Sequence, residues 1–279
     1  MQKLILFTLI VFSAFAISCD EKKPLQTDDI NISVTLPPFA DFVKQITGNR
    51  ANINTLIPPG TNAHSFEPTP VDIKNLLNSH IYFRVGKIFN LENTIFGKVH
   101  LDTTVTKTID CSNGIEILNN DPHFWLSPTD VKIITNTMLN ALIKLYPQHK
   151  NYFTNNRNKF IHNLDSIDNI NSKIISEKKE RSFFVYHPAW TYLATHYNLE
   201  QFSVEQDGKA PKANAIKDFI NLVKSKNGSV IFFDPHFDNA SVNTIANSLN
   251  IKIDSLDPLP VNYLENLDTM GKKFNEYLK

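Results

Sequence analysis

The sequence predicts an α/β protein of two lobes, each a mainly parallel sheet flanked by helices, joined by a long, rigid backbone helix. Three observations carry that expectation. Short β-type runs alternate with helical segments over residues 31–126, the pattern of a parallel sheet with crossover helices. The same alternation returns over residues 180–279. Between them, residues 127–179 form a glycine-poor stretch in which apolar residues recur at spacings of three and four: Val131, Ile134, Met138, Leu142, Leu145, then Phe153, Phe160, Leu164, Ile167, Ile170 and Ile174. That period is helical.

Taken in order, NISVTL opens the first lobe as a strand, and PFADFVKQITG reads as a helix stopped by Gly48. ANINTLI is a second strand. The loop PPGTNAHSFEP leads to a helix beginning near Thr69, with Pro70 in its first turn, where a missing N–H costs nothing. IYFRVG is a third strand and TTVTKTID a fourth. In the second lobe RSFFVYH, QFSVE, VIFFD and IKIDSLD are the strands, and WTYLATHY, NAIKDFINLVKSKN and NASVNTIANSLN the helices between them. Residues 262–278 close the chain as a helix.

The formal net charge is +0, with 42% hydrophobic and 20% charged residues, so the basic excess typical of a nucleic-acid binder is absent. The first residues differ from the rest. Lys3 precedes an apolar run, residues 4–17, that is too short to span a bilayer comfortably and ends in AISC. This resembles a bacterial lipoprotein signal over residues 1–18, with Cys19 as the lipidated first residue of the mature protein; a plain signal peptide is the alternative. Residues 19–30 then carry the anchor and a polar, flexible tether. Apart from Cys19 only Cys111 remains, which excludes an intramolecular disulfide and a cysteine-rich zinc site and leaves Cys111 as a buried or semi-buried thiol.

Ligands in open α/β sheets bind beyond the carboxyl ends of strands, a rule that singles out His64, His187, Asp234 and Asp257. His123 comes from the DPH loop ahead of the helical stretch. Of the nine histidines, His149 and His162 fall on polar parts of the helical region, while His80 and His196 read as surface or capping residues and His100 sits in a loop. His64, His123 and His187 share a different setting: PPGTNAHSFEP, DPHFWLSP and YHPAW are turn-rich loops stiffened by proline, which reduces the entropy lost when side chains are held in a fixed geometry. From the residues alone, a three-histidine metal site and ordinary loop histidines both remain open.

The blocks PPGTNAHSFEPTP, DPHFWLSP, FFVYHPAWTYLATHYNL, VIFFDPHF and SLDPL, in that order and spanning essentially all of the mature chain, resemble the zinc/manganese solute-binding lipoproteins of bacterial ABC importers. The resemblance implies two α/β lobes on a backbone helix with one metal ion between them. It implies His64, His123 and His187 as ligands, and the carboxylate of the LDPL block, Asp257, as the fourth. Three imidazoles and a carboxylate suit four-coordinate Zn2+ at about 2.0–2.2 Å. Mn2+ favours more oxygen ligands and is the second possibility. The resemblance further implies an extracytoplasmic, lipid-anchored, monomeric binding protein that delivers its ion to a membrane permease, with no enzymatic activity.

The sequence also departs from the family. The interval before the DPH block, CSNGIEILNN, is short and has no histidine, where many zinc members carry a histidine-rich loop. Asp234 and His236 stand where relatives often have Glu and Gln, and read as a strand-end turn or as supporting or alternative ligands. SLDPLP lacks the glycine that often follows LDPL. Glu67 reads as a structural or supporting carboxylate. Two other classes stay in view: a zinc hydrolase, which would need an open coordination position and a base such as Asp234 or Glu67 but has no HExxH motif to support it, and an adhesin with structural zinc.

Overall fold

Residues 30–98, 104–205, 211–236 and 240–279 are described by the computed structural model. The signal segment, Cys19, the tether and His100 lie outside the described residues. No helix among the described residues is long and apolar enough to cross a membrane.

Four strands, β1 (Ile30–Val34), β2 (Ala51–Thr55), β3 (Ile81–Arg84) and β4 (Lys107–Asp110), form a parallel sheet in the order β2-β1-β3-β4. Ile32 pairs with Ile53 on one side and Ile81 on the other, and Phe83 with Ile109. The central strands are almost wholly buried, as parallel strands covered on both faces must be. Helix α1 (Pro37–Thr47) starts on proline and ends at Gly48, whose φ of 59° is left-handed; a side chain there would overlap the Tyr152 hydroxyl. Helix α2 (Pro70–Leu77) begins with a reciprocal capping box between Thr69 and Asp72.

Helix α3 (Asn90–Lys98) was not legible in the sequence. NLENTIFGK has a weak apolar period and an internal glycine, so periodicity does not announce it. Tertiary contacts hold it. The buried Glu92 carboxylate accepts hydrogen bonds from Thr35, from the Val85 and Gly86 amides at 2.7 and 3.0 Å, and from Arg84 Nε at 3.0 Å. Burial pushes this carboxyl above the usual range.

The helical stretch between the sheets is two helices. After a 3-10 turn at Phe124–Leu126, α4 (Pro128–Leu145) runs to Tyr146; Pro147 then interrupts the ladder, and α5 (Lys150–Ser176) is the long helix, about 40 Å at 1.5 Å per residue. The two fold back on each other, with Lys132 paired to Asp165 at 2.6 Å and Arg157 donating to the Lys132 carbonyl.

The second sheet repeats the first. Strands β5 (Ser182–Val185), β6 (Glu200–Ser203), β7 (Val230–Phe233) and β8 (Lys252–Ser255) are parallel in the order β6-β5-β7-β8. Helices α6 (Thr191–His196), α7 (Ala213–Ser225), α8 (Ala240–Leu249) and α9 (Tyr263–Tyr277) accompany them. One hydrophobic cluster runs from Ile30 to Leu278 through both halves. Phe42 of α1 meets Phe160 of α5 at 6.0 Å and Tyr263 of α9 at 5.1 Å between ring centroids, so the connecting helix is packed from both sides. Cys111 is fully buried and burial pushes its thiol well up, as expected for an inert core cysteine.

Candidate metal centre

Three loops, which follow β2 and β4 of the first sheet and β5 of the second, converge. The first lies between β2 and α2. Pro58, Pro59 and Gly60 (φ 78°) turn the chain, and the Asn62 side chain then accepts from the His64 amide at 2.8 Å. The second follows β4. There Asn119 and Asn120 both adopt positive φ, a conformation asparagine tolerates, and Asp121 Oδ1 accepts from the His123 amide at 2.9 Å. The buried Phe124-Trp125-Leu126 turn anchors this loop to the core. The third leaves β5, where Tyr186 still bonds to the Phe232 carbonyl before the chain releases His187 and Pro188.

His64, His123 and His187 each offer a nitrogen within 4.8 Å of the other two. His64 Nε2 and His187 Nε2 are 3.3 Å apart, and the ring centroids are separated by 4.9, 5.3 and 6.4 Å. Such convergence of imidazole nitrogens matches the demand of one small cation. His123 and His187 are buried, while His64 is exposed on its loop. Partial desolvation first, and the neighbouring imidazoles of His187 and His123 second, lower the His64 pKa to about 4, so its ring is neutral at pH 7, the form that ligates metal.

Two carboxylates that sequence reasoning did not assign as supports hold the inner rings. Asp121 Oδ1 pairs with His123 Nδ1 at 2.6 Å, and Glu205 Oε1, just beyond β6, pairs with His187 Nδ1 at 3.0 Å. Each directs Nδ1 at an acceptor, fixes the ring, and leaves Nε2 to carry the lone pair. Glu205 is itself a residue at a strand's carboxyl end, so the rule that found His187 also reaches it. Asp121 was in view as part of DPH.

A cleft of about 900 Å³ opens onto the histidines; Glu67, Phe66, Phe89 and Asn120 are on its walls. Asp257 does not join the three-histidine group. Its Oδ1 accepts from the Leu259 amide at 2.7 Å and lies 3.7 Å from His236 Nδ1, and burial raises its carboxyl above the usual range. Asp234, buried at the end of β7, accepts from the amide and pairs with Nδ1 of His236. Of the remaining histidines, His196 is paired with Asp168 of α5 at 2.7 Å and His80 accepts from the Asn31 amide, which gives both a structural role.

The family model described as zinc-uptake complex component A, periplasmic (ZnuA), matches residues 32–278. The chain belongs to this family. Among curated relatives, the zinc-binding lipoprotein AdcA of Streptococcus pneumoniae is 27% identical over 282 residues, which cover 93% of this chain and 56% of that protein. The chain thus spans about half the length of the AdcA relatives it matches. A crystal structure of ZnuA superimposes with a TM-score of 0.84 at 29% identity, over 90% of this chain and 99% of that one. The Zn(II)-bound ZnuA-like domain of Streptococcus pneumoniae AdcA gives 0.78 at 26% identity, over 90% and 99%. These ZnuA-type structures have the same two-lobed α/β fold, with the long helix between the lobes.

Proposed function

We propose that this chain is the extracytoplasmic zinc-capturing component of an ABC importer, holding Zn2+ through His64, His123 and His187 and passing it to the membrane permease. The observation that carries this reading is the convergence of three imidazole nitrogens, drawn from both halves of the fold, within 4.8 Å of one another. Three nitrogen ligands favour Zn2+ over Mn2+, which prefers oxygen. Family membership supports a binding protein over a hydrolase. The boundaries 31–126 and 180–279 divide the two lobes that share the ion, with 127–179 as the backbone between them. The chain acts as a monomer, tethered to the membrane through lipid on Cys19.

Asp257, the fourth ligand implied by the resemblance, would have to leave the Leu259 amide to reach an ion at the three histidines. Competition titration of the purified protein tests the whole reading. One tightly held Zn2+ per chain is expected, with Mn2+ bound more weakly. His187→Ala should weaken Zn2+ by more than about a hundredfold, beyond the range seen for supporting carboxylates. Equal affinity for the two metals would overturn the choice of zinc, and stoichiometric zinc indifferent to His187→Ala would overturn the site.

A further inference from the structure

Charge is unevenly spread over a chain whose formal net charge is +0. The carboxyl ends of the strands, around the histidines, carry Asp110, Asp121, Glu205, Asp234 and Asp257. The opposite, amino-terminal edge of the first sheet has the reverse character. Among the described residues, the segments that form it, 44–52, 78–81, 104–107 and 143–152, contain no aspartate or glutamate. They do contain Lys44, Arg50, Lys144 and Lys150, and none of these four has a carboxylate within ion-pair distance among the described residues. On the corresponding edge of the second sheet, Lys226 and Lys252 are instead paired with Glu200 and Glu276.

The four cations share one surface. Lys44 Nζ donates to Asn49 Oδ1 at 2.7 Å, and the guanidinium of the next residue, Arg50, lies 4.6 Å from the centre of the Tyr152 ring. Tyr152 follows Lys150 by two residues at the start of α5. Across the Pro147 turn, Tyr146 ends α4, and its hydroxyl meets His80 Nδ1, just before β3, at 3.2 Å. Lys144 and Leu145 precede it. Leu145 and Tyr152 are both exposed, so the surface combines positive charge with an aliphatic and an aromatic group. An anionic lipid surface fits that combination: cations meet headgroup phosphates, and the apolar bodies enter the interface. The path of the chain agrees. Strand β1 opens on this edge at Ile30, eleven residues after Cys19, a length that spans at most about 40 Å.

We propose that this edge is a membrane-facing surface that seats the protein on an anionic bilayer, with the histidine cleft at the opposite edge turned toward solvent. The lipid on Cys19 gives attachment, and the four cations give orientation, which leaves the cleft open for capture. The choice of membrane rests on the anchoring at Cys19, whereas the surface itself can be tested without it. Neither depends on which ion the histidines hold.

Flotation of the purified, unlipidated protein with vesicles tests the surface apart from the anchor. The protein should float with vesicles of equal parts phosphatidylglycerol and phosphatidylcholine at low ionic strength, stay behind with phosphatidylcholine alone, and come off as salt rises. Lys144→Gln and Lys150→Gln should each weaken partitioning about fivefold, with zinc affinity unchanged. On vesicles, amide-exchange protection should appear at residues 44–50 and 144–152 and not at 58–69. Partitioning insensitive to both substitutions, or protection at 58–69 in place of the basic edge, would overturn the proposal. So would binding to soluble polyphosphate without binding to vesicles, which would give the surface to a polyanion. Elution as a dimer that Lys150→Gln dissolves would give it to a second copy, and the membrane reading would fail. Vesicle binding by a protein that mass spectrometry of cell membranes shows without lipid on Cys19 would keep the surface and sink the anchor.

Discussion

A histidine ligand is only as good as the group behind it. His123 and His187 are buried, and each leans on one carboxylate, Asp121 at 2.6 Å and Glu205 at 3.0 Å. Removing the charge while keeping the shape should loosen ring orientation and lower imidazole basicity. Asp121→Asn and Glu205→Gln are therefore each expected to lower Zn2+ affinity by about 10–100-fold, with thermal unfolding of the metal-free protein little changed for Glu205→Gln. An affinity unchanged in both variants would mean that the loops alone position the rings. The three histidines were legible in the sequence because proline-rich loops and strand ends flag them, and because the order of blocks resembles one family. The strand-end rule reaches Glu205 as a position, but its role exists only through the pairing of β5 with β6, which sets Ser203 beside Val185. The placement of Asp257 beside His236 likewise depends on register, which no local motif encodes.

Among the helices, α5 and α9 are joined closely. Asn171 of α5 is buried and donates to the Leu267 carbonyl at 2.9 Å, and a β-carbon on Gly271 would overlap its side-chain amide. Asn171 cannot step aside without losing that bond. Gly271→Ala is expected to destabilise the protein by about 1–3 kcal/mol, lowering the unfolding midpoint by roughly 2–4 °C for each kcal/mol. Adding Asn171→Ala should recover part of the loss, since the clash partner is gone; a destabilisation identical in both backgrounds would point to a different cause. Most elements could be read from periodicity, including all eight strands of the described residues. The failures have physical reasons. Helix α3 owes its existence to the Glu92 hydrogen bonds and not to an apolar stripe, and a single helical period across residues 127–179 conceals the break that Pro147 makes.

At the scale of the molecule, the two halves share one core, and that sets how an ion can change them. Besides the continuous hydrophobic cluster, Trp125 Nε1 donates to the Pro258 carbonyl at 2.7 Å, and Tyr263 N donates to Asp41 at 2.9 Å. The Tyr192 hydroxyl donates to the Asp121 carbonyl at 3.0 Å and accepts from the Leu118 amide at 2.9 Å, tying α6 to the His123 loop. A wide hinge would have to break these bonds and expose packed aromatic rings, whereas moving the exposed His64 loop breaks little. Zinc should therefore act as a local clamp. Binding is expected to raise stability by about 2.7 kcal/mol at a hundredfold excess over Kd, with new amide-exchange protection confined to residues 58–69 and 119–123. The radius of gyration from solution scattering should stay within about 1 Å of the metal-free value, the scale of small shifts of packed elements. A contraction of several ångströms on zinc addition would mean that the shared core opens, and the rigid-backbone account would fail. Unchanged scattering with protection spread along α5 would instead place the coupling in the helix itself, because only a change in its packing could slow exchange there.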